Sequence, residues 1–152
     1  MKFLLFSLLP VLLFASACSK QEDAAPRMVV AVHYTAGGSA MQLHGRINVG
    51  NVDSTTSAHP GNYFSVPVTS PTLDVTRTVL TDPPAYLDNY DLTVQVSLAA
   101  AERGPVPSGT FVQADILVNG QVLKTARVDA TTPLGQDDLY PTQTASLLFK
   151  GL

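Results

Sequence analysis

An all-β fold, an antiparallel immunoglobulin-like β-sandwich of about seven strands behind an N-terminal leader, is the class this sequence predicts. Three observations predict it. Beyond the leader, apolar and polar residues alternate with period two in short runs, the spacing of half-buried strands. The runs are separated by Gly-, Pro- and Asp-rich turns. The acids are ten Asp against two Glu, a bias toward turns and caps over helix interiors.

The strands follow in order. Met28, Val30, Val32 and Tyr34 lie on one face, and Ala36-Gly37-Gly38-Ser39 makes a turn. Met41, Leu43, Gly45, Ile47 and Val49 then alternate strictly with Gln42, His44, Arg46 and Asn48, so the two runs are expected to pair as a hairpin. A polar loop spans 50–62. Phe64, Val66 and Val68 resume the alternation; Pro67 lacks an amide hydrogen and confines this strand to an edge or a bulge. Residues 74–80 read as a weaker strand with Val75 and Val79 on one face, ended by Thr81-Asp82-Pro83-Pro84. Residues 85–90 have room for a helical turn. Leu92, Val94, Val96 and Leu98 form the next clean strand.

Strands near 110–117 and 121–129 flank Asn119-Gly120 and read as a hairpin. A two-residue turn would set Val112 opposite Arg127. A three-residue loop sets Ile116 opposite Val122 and Val112 opposite Ala126, which keeps one face apolar except for Lys124, and is preferred. A loop over 131–143 precedes the last run, Ala145, Leu147 and Phe149.

The N-terminus carries a different pattern. Lys2 precedes an apolar stretch over 3–14, the length of a signal-peptide core and short of the roughly 20 residues a membrane-spanning helix needs. Ala15-Ser16-Ala17-Cys18 follows, and Cys18 is the only cysteine. Small residues followed at once by cysteine resemble the lipobox of bacterial lipoproteins. Membership of that family implies cleavage after Ala17, a diacylglycerol on the Cys18 sulfur and an acylated amino group. Ala15 stands where many lipoboxes carry Leu. The resemblance covers the first eighteen residues and divides the chain into a signal peptide over 1–17, a lipidated cysteine and tether over 18–27, and one β-sandwich domain over 28–152. Ser19, in place of Asp at that position, implies the outer membrane. Lys20-Gln21-Glu22-Asp23 is similar to the acidic export tag of some surface lipoproteins, so both a surface-facing and a periplasm-facing orientation stay open.

A second resemblance lies in the hairpin Ala114-Asp115-Ile116-Leu117-Val118-Asn119-Gly120-Gln121-Val122-Leu123-Lys124. It is similar to the C-terminal hairpin of MmpS-type transport accessory proteins, small β-sandwiches that assist lipid exporters. The chain lacks the proline–tryptophan segment frequent in that family, as it has no Trp.

Function classes narrow by exclusion. Five arginines stand singly and net charge is −3, so nucleic acid is not an expected partner. No Gly-x-Ser-x-Gly elbow, His-Glu-x-x-His pair or phosphate-binding glycine loop is present, and no catalytic residue is assigned. If the first hairpin closes, His33 and His44 share an outer face, a pair that suits a transition metal only with a third ligand; His59 lies in a loop. Asp88-Asn89-Tyr90-Asp91 and Asp137-Asp138 offer oxygens suited to calcium, but turn chemistry accounts for them. No cofactor is expected. Tyr63, Tyr86, Tyr90 and Tyr140 fall in or beside loops, where they close the ends of a core or meet a ligand. The expectation is a non-enzymatic binding or scaffolding module, held to a membrane through lipid on Cys18, with an envelope protein or a glycan as partner. An accessory subunit of an envelope transporter and a glycan-binding module are the alternatives.

Overall fold

The computed structural model describes residues 28–53, 61–82, 90–99, 104–134 and 140–148. Eight strands carry them: β1 (Val29–Gly37), β2 (Gly45–Asp53), β3 (Gly61–Pro67), β4 (Leu73–Thr81), β5 (Tyr90–Leu98), β6 (Phe111–Val118), β7 (Gln121–Asp129) and β8 (Thr142–Leu148). They form two antiparallel four-stranded sheets, ordered β4-β1-β6-β7 and β3-β2-β5-β8. The fold is a β-sandwich, with eight strands among the described residues where about seven are expected.

Alternation builds the core. Val30, Val32, Tyr34 and Ala36 of β1, with Val112, Ala114 and Ile116 of β6, point inward from one sheet. Ile47 and Val49 of β2, with Leu92, Val94, Val96 and Leu98 of β5, meet them from the other. These are the two central strands of each sheet, so the core sits where both faces are covered. Each such Val, Leu or Ile stabilises the fold by roughly 1.5–3 kcal/mol relative to its exposed state.

The edges are guarded. An extra residue bulges from β4 at Val79, from β3 at Tyr63 and from β7 at Leu123, three of the four edge strands. Pro67 lies on edge strand β3, as its missing amide requires. Arg77 of β4 pairs with core-facing Val32, so its stem starts on the inner side of the edge; the residue stays exposed, and its guanidinium stacks 4.3 Å from the Phe64 ring centroid. A charged side chain on an edge strand hinders the addition of another strand.

Two expectations are corrected. First, β1 does not pair with β2; the two lie in opposite sheets. Residues 38–44 form a turn that carries the chain across, and β2 begins only at Gly45. Gly38 adopts φ 64, and a Cβ there would lie 2.7 Å from both Gly109 O and Thr110 Cα. Ser39 N donates to Thr110 Oγ1 at 3.1 Å and Gly45 N to Ala40 O at 2.7 Å, which fixes the crossing. Met41 and Leu43 are half-buried because they pack over the end of the core from this turn. Their alternation therefore mimics a strand.

Second, the β6–β7 hairpin takes neither expected register. Asn119 and Gly120 make a two-residue turn with φ 50 and 80, so Val118 faces Gln121 and Leu117 faces Val122. The bulge at Leu123 then shifts the ladder, setting Val112 opposite Val128 and Ala114 opposite Ala126. A tight turn and an apolar face are both kept, with one extra residue reconciling them. The weaker β4 also departs from a plain strand: Val79 and Leu80 both pack against the core across the bulge, while Val75, opposite Tyr34, is 38% exposed.

Candidate functional site

The leader, Ala17, Cys18, His59, Tyr86, Asp88, Asn89, Asp137 and Asp138 lie outside the described residues, as does the helical turn expected before β5 except for Tyr90. The other expected site residues are scattered. His33 stands at mid-β1 on the outer face, while His44 closes the 38–44 turn with φ 51 and is exposed. The shared face expected for these two histidines does not exist, because β1 and β2 belong to different sheets. Tyr63 is half-buried against the core, and Tyr140 is exposed just before β8. Asp91 pairs with Leu148 in the ladder of β5 and β8.

His33 instead lies between two aspartates. Asp74 lies diagonally across on β4, opposite Thr35, and Asp115 stands directly opposite on β6. His33 Nε2 is 2.9 Å from Asp74 Oδ1, and Nδ1 is 3.5 Å from Asp115 Oδ2. Asp115 is 6% exposed although it lies on an outer face. Its neighbours satisfy it: Gln113 Nε2 donates to both carboxylate oxygens at 3.1 and 3.0 Å, and the Thr125 hydroxyl donates to Oδ1 at 2.6 Å. Burial of a carboxylate is tolerable only with such partners.

The chain of contacts continues outward. Arg127 Nη1 donates to Gln113 Oε1 at 2.9 Å, Nε donates to Asp129 Oδ2 at 3.0 Å, and the guanidinium lies 4.5 Å from the Phe111 ring centroid. Hydrogen bonds from the Thr131 hydroxyl and backbone N–H, then from Arg127, hold the Asp129 carboxyl down to about 2. A polar network thus crosses all four strands of one sheet, from Asp74 through His33, Asp115, Gln113 and Arg127 to Asp129. His33 Nε2 and the Thr125 hydroxyl are hydrogen-bonded to carboxylates, an arrangement suited to presenting a rigid polar surface. Among the described residues no group of three His, Cys, Asp or Glu side chains is placed to hold a metal ion.

Sequence reasoning missed Asp115, Gln113 and Thr125. Their phase is readable, since Gln113 and Asp115 alternate with inward Val112, Ala114 and Ile116. Their pairing with His33 is not, because β1 and β6 are far apart in sequence.

Two further features frame this face. On the other sheet, Ser65 Oγ donates to Asn48 Oδ1 at 2.7 Å and Asn48 Nδ2 to Gln95 Oε1 at 3.3 Å, an uncharged amide and hydroxyl ladder. At one end of the sandwich, the start of β1 is clamped from both sides. Met28 N donates to Asp82 Oδ1 at 2.7 Å, and Asp82 N returns a bond to Met28 O at 2.8 Å. Val29 N donates to Asn119 Oδ1 and Asn119 N to Val29 O, each at 2.8 Å. Asp82 and Asn119 both have positive φ, 45 and 50, a conformation their short polar side chains tolerate.

No protein-family model matches this chain, and neither a curated protein nor a solved structure matches it.

Proposed function

We propose that this chain is a lipid-anchored bacterial envelope lipoprotein whose β-sandwich binds or scaffolds another envelope component without chemical turnover. The observation behind it is how the chain enters the domain. Met28 is clamped at one end of the sandwich, ten residues after the single cysteine of a lipobox-like sequence. A lipid on Cys18 leaves both outer faces and the far end for contact. The hydrogen-bonded face around Asp115 supports binding, since a pre-ordered surface loses less entropy when a partner docks.

A glycan-binding module is the second reading, favoured by the uncharged Ser65–Asn48–Gln95 ladder on the other sheet. Crosslinking of intact cells followed by purification of the native chain separates the two. A protein partner that is retained by wild type and lost in Arg127→Glu supports scaffolding through the Asp115 face. Binding to envelope polysaccharide that survives Arg127→Glu and fails in Asn48→Ala supports the glycan reading. Protease shaving of intact cells, with periplasmic markers as controls, decides between surface and periplasmic orientation.

A further inference from the structure

We propose that the clamped end of the sandwich seats on the bilayer, with Val122 and Leu123 as its apolar contact. The inference rests on the lipid-anchor reading of Cys18 and adds the face that the anchored domain turns to the lipid.

The 38–44 turn joins β1 to β2 at the far end, so Val29 and Asp53 share the opposite, clamped end. The β6–β7 turn lies there too, because Asn119 is the residue that binds Val29. Val122 and Leu123 follow Gln121 at the start of β7 and are 50% and 39% exposed. Val122 stays in the ladder opposite Leu117, and Leu123 is the extra residue that bulges beside it. Leu148 of β8, 41% exposed, ends its strand at the same end, opposite Asp91.

Isolated exposed aliphatic residues are ordinary on a protein surface. Here their position relative to the chain's entry gives them a partner. Nine residues lie between Cys18 and Met28, and the ten Cα–Cα steps span at most about 35 Å when fully extended. The end that holds Met28 is therefore the end nearest the anchor's attachment, and the clamp keeps Met28 and Val29 from peeling off and lengthening the tether. Lys124, next to the apolar pair, suits the headgroup layer, where a long stem lies along apolar surface and the ammonium stays in water. A shallow seat of this kind adds to an acyl anchor without spanning the bilayer.

The chain has no tryptophan, so Leu123→Trp creates a sole fluorescent reporter at the seat and Leu134→Trp, at a 55% exposed site beyond β7 on the far end, a matched control. The full chain, produced in bacteria so that the anchor is attached, is reconstituted into phosphatidylcholine vesicles with or without brominated acyl chains. The expected result is a blue-shifted emission for Leu123→Trp that brominated lipid quenches, with Leu134→Trp emitting as in water and unquenched. Vesicle-bound Leu123→Trp that emits like Leu134→Trp overturns the seat and leaves the anchor standing. A chain that floats free of the vesicles, as Cys18→Ser is expected to, overturns the anchor and the seat together.

Discussion

Thr125 and Asp115 face each other across β6 and β7, and the Thr125 hydroxyl donates a 2.6 Å hydrogen bond to a carboxylate that is almost wholly buried on an outer face. The bulge at Leu123 makes this contact possible. Without it the two-residue turn would set Asp115 opposite Lys124.

Asp115 is therefore expected to stabilise the domain through its donors. Asp115→Ala removes the acceptor for Gln113 and Thr125 and the carboxylate beside His33, with an expected cost of about 2 kcal/mol, since hydrogen bonds to charged groups are the stronger kind. Urea denaturation of the two proteins measures it. Thr125→Val should incur part of the same loss and combine with Asp115→Ala less than additively.

Asp129 gives the stability a pH signature. Its carboxyl is held down to about 2 in the fold, against 3.8 ordinarily. A lowered folded value means that its contribution is complete above pH 3.8 and fades as pH falls through the window down to 2. Asp129→Asn is expected to flatten the stability–pH curve in that window. An unchanged slope, read from denaturation midpoints at several pH values, would show that Thr131 and Arg127 do not hold this carboxylate in solution.

The clamp on β1 is expected to depend on Asn119. Asn119→Ala loses the bond to Val29 N and places a Cβ-bearing residue of no turn preference at φ 50, a combined cost of about 1–2 kcal/mol. Amide hydrogen exchange at Met28 and Val29 should quicken ahead of the core strands. Asn119→Gly keeps the turn without the side-chain bond and should lie between the two.

Gly38→Ala is expected to be the harsher change. Its Cβ would lie 2.7 Å from backbone atoms of Gly109 and Thr110, and φ is 64. Overpacking against backbone costs about 1–3 kcal/mol, and the left-handed conformation adds to it. A thermal melt that matches wild type would show that the 38–44 crossing can relax.

Much of this fold was legible in the residues themselves, because period-two alternation depends only on local sequence. Val30, Val32 and Tyr34, and again Leu92 through Leu98, show their inward face without any knowledge of neighbours. Pro67 announces an edge for a local reason as well. What local pattern does not carry is which strands meet. The β1–β6 and β1–β4 pairings join distant segments, so the Asp74–His33–Asp115 contact stayed hidden while each residue's phase was readable. Met41 and Leu43 misled for the converse reason: a turn that packs over the core repeats the alternation of a strand.

The anchor on Cys18 is the claim from which orientation, seat and partner all follow, and the mass of the mature protein tests it most directly. Mass spectrometry of the N-terminal peptide, from cells making the native chain, should find residues 1–17 gone and a diacylglycerol thioether on Cys18 with an acylated amino group. A mature N-terminus that retains a free Cys18 thiol would contradict it.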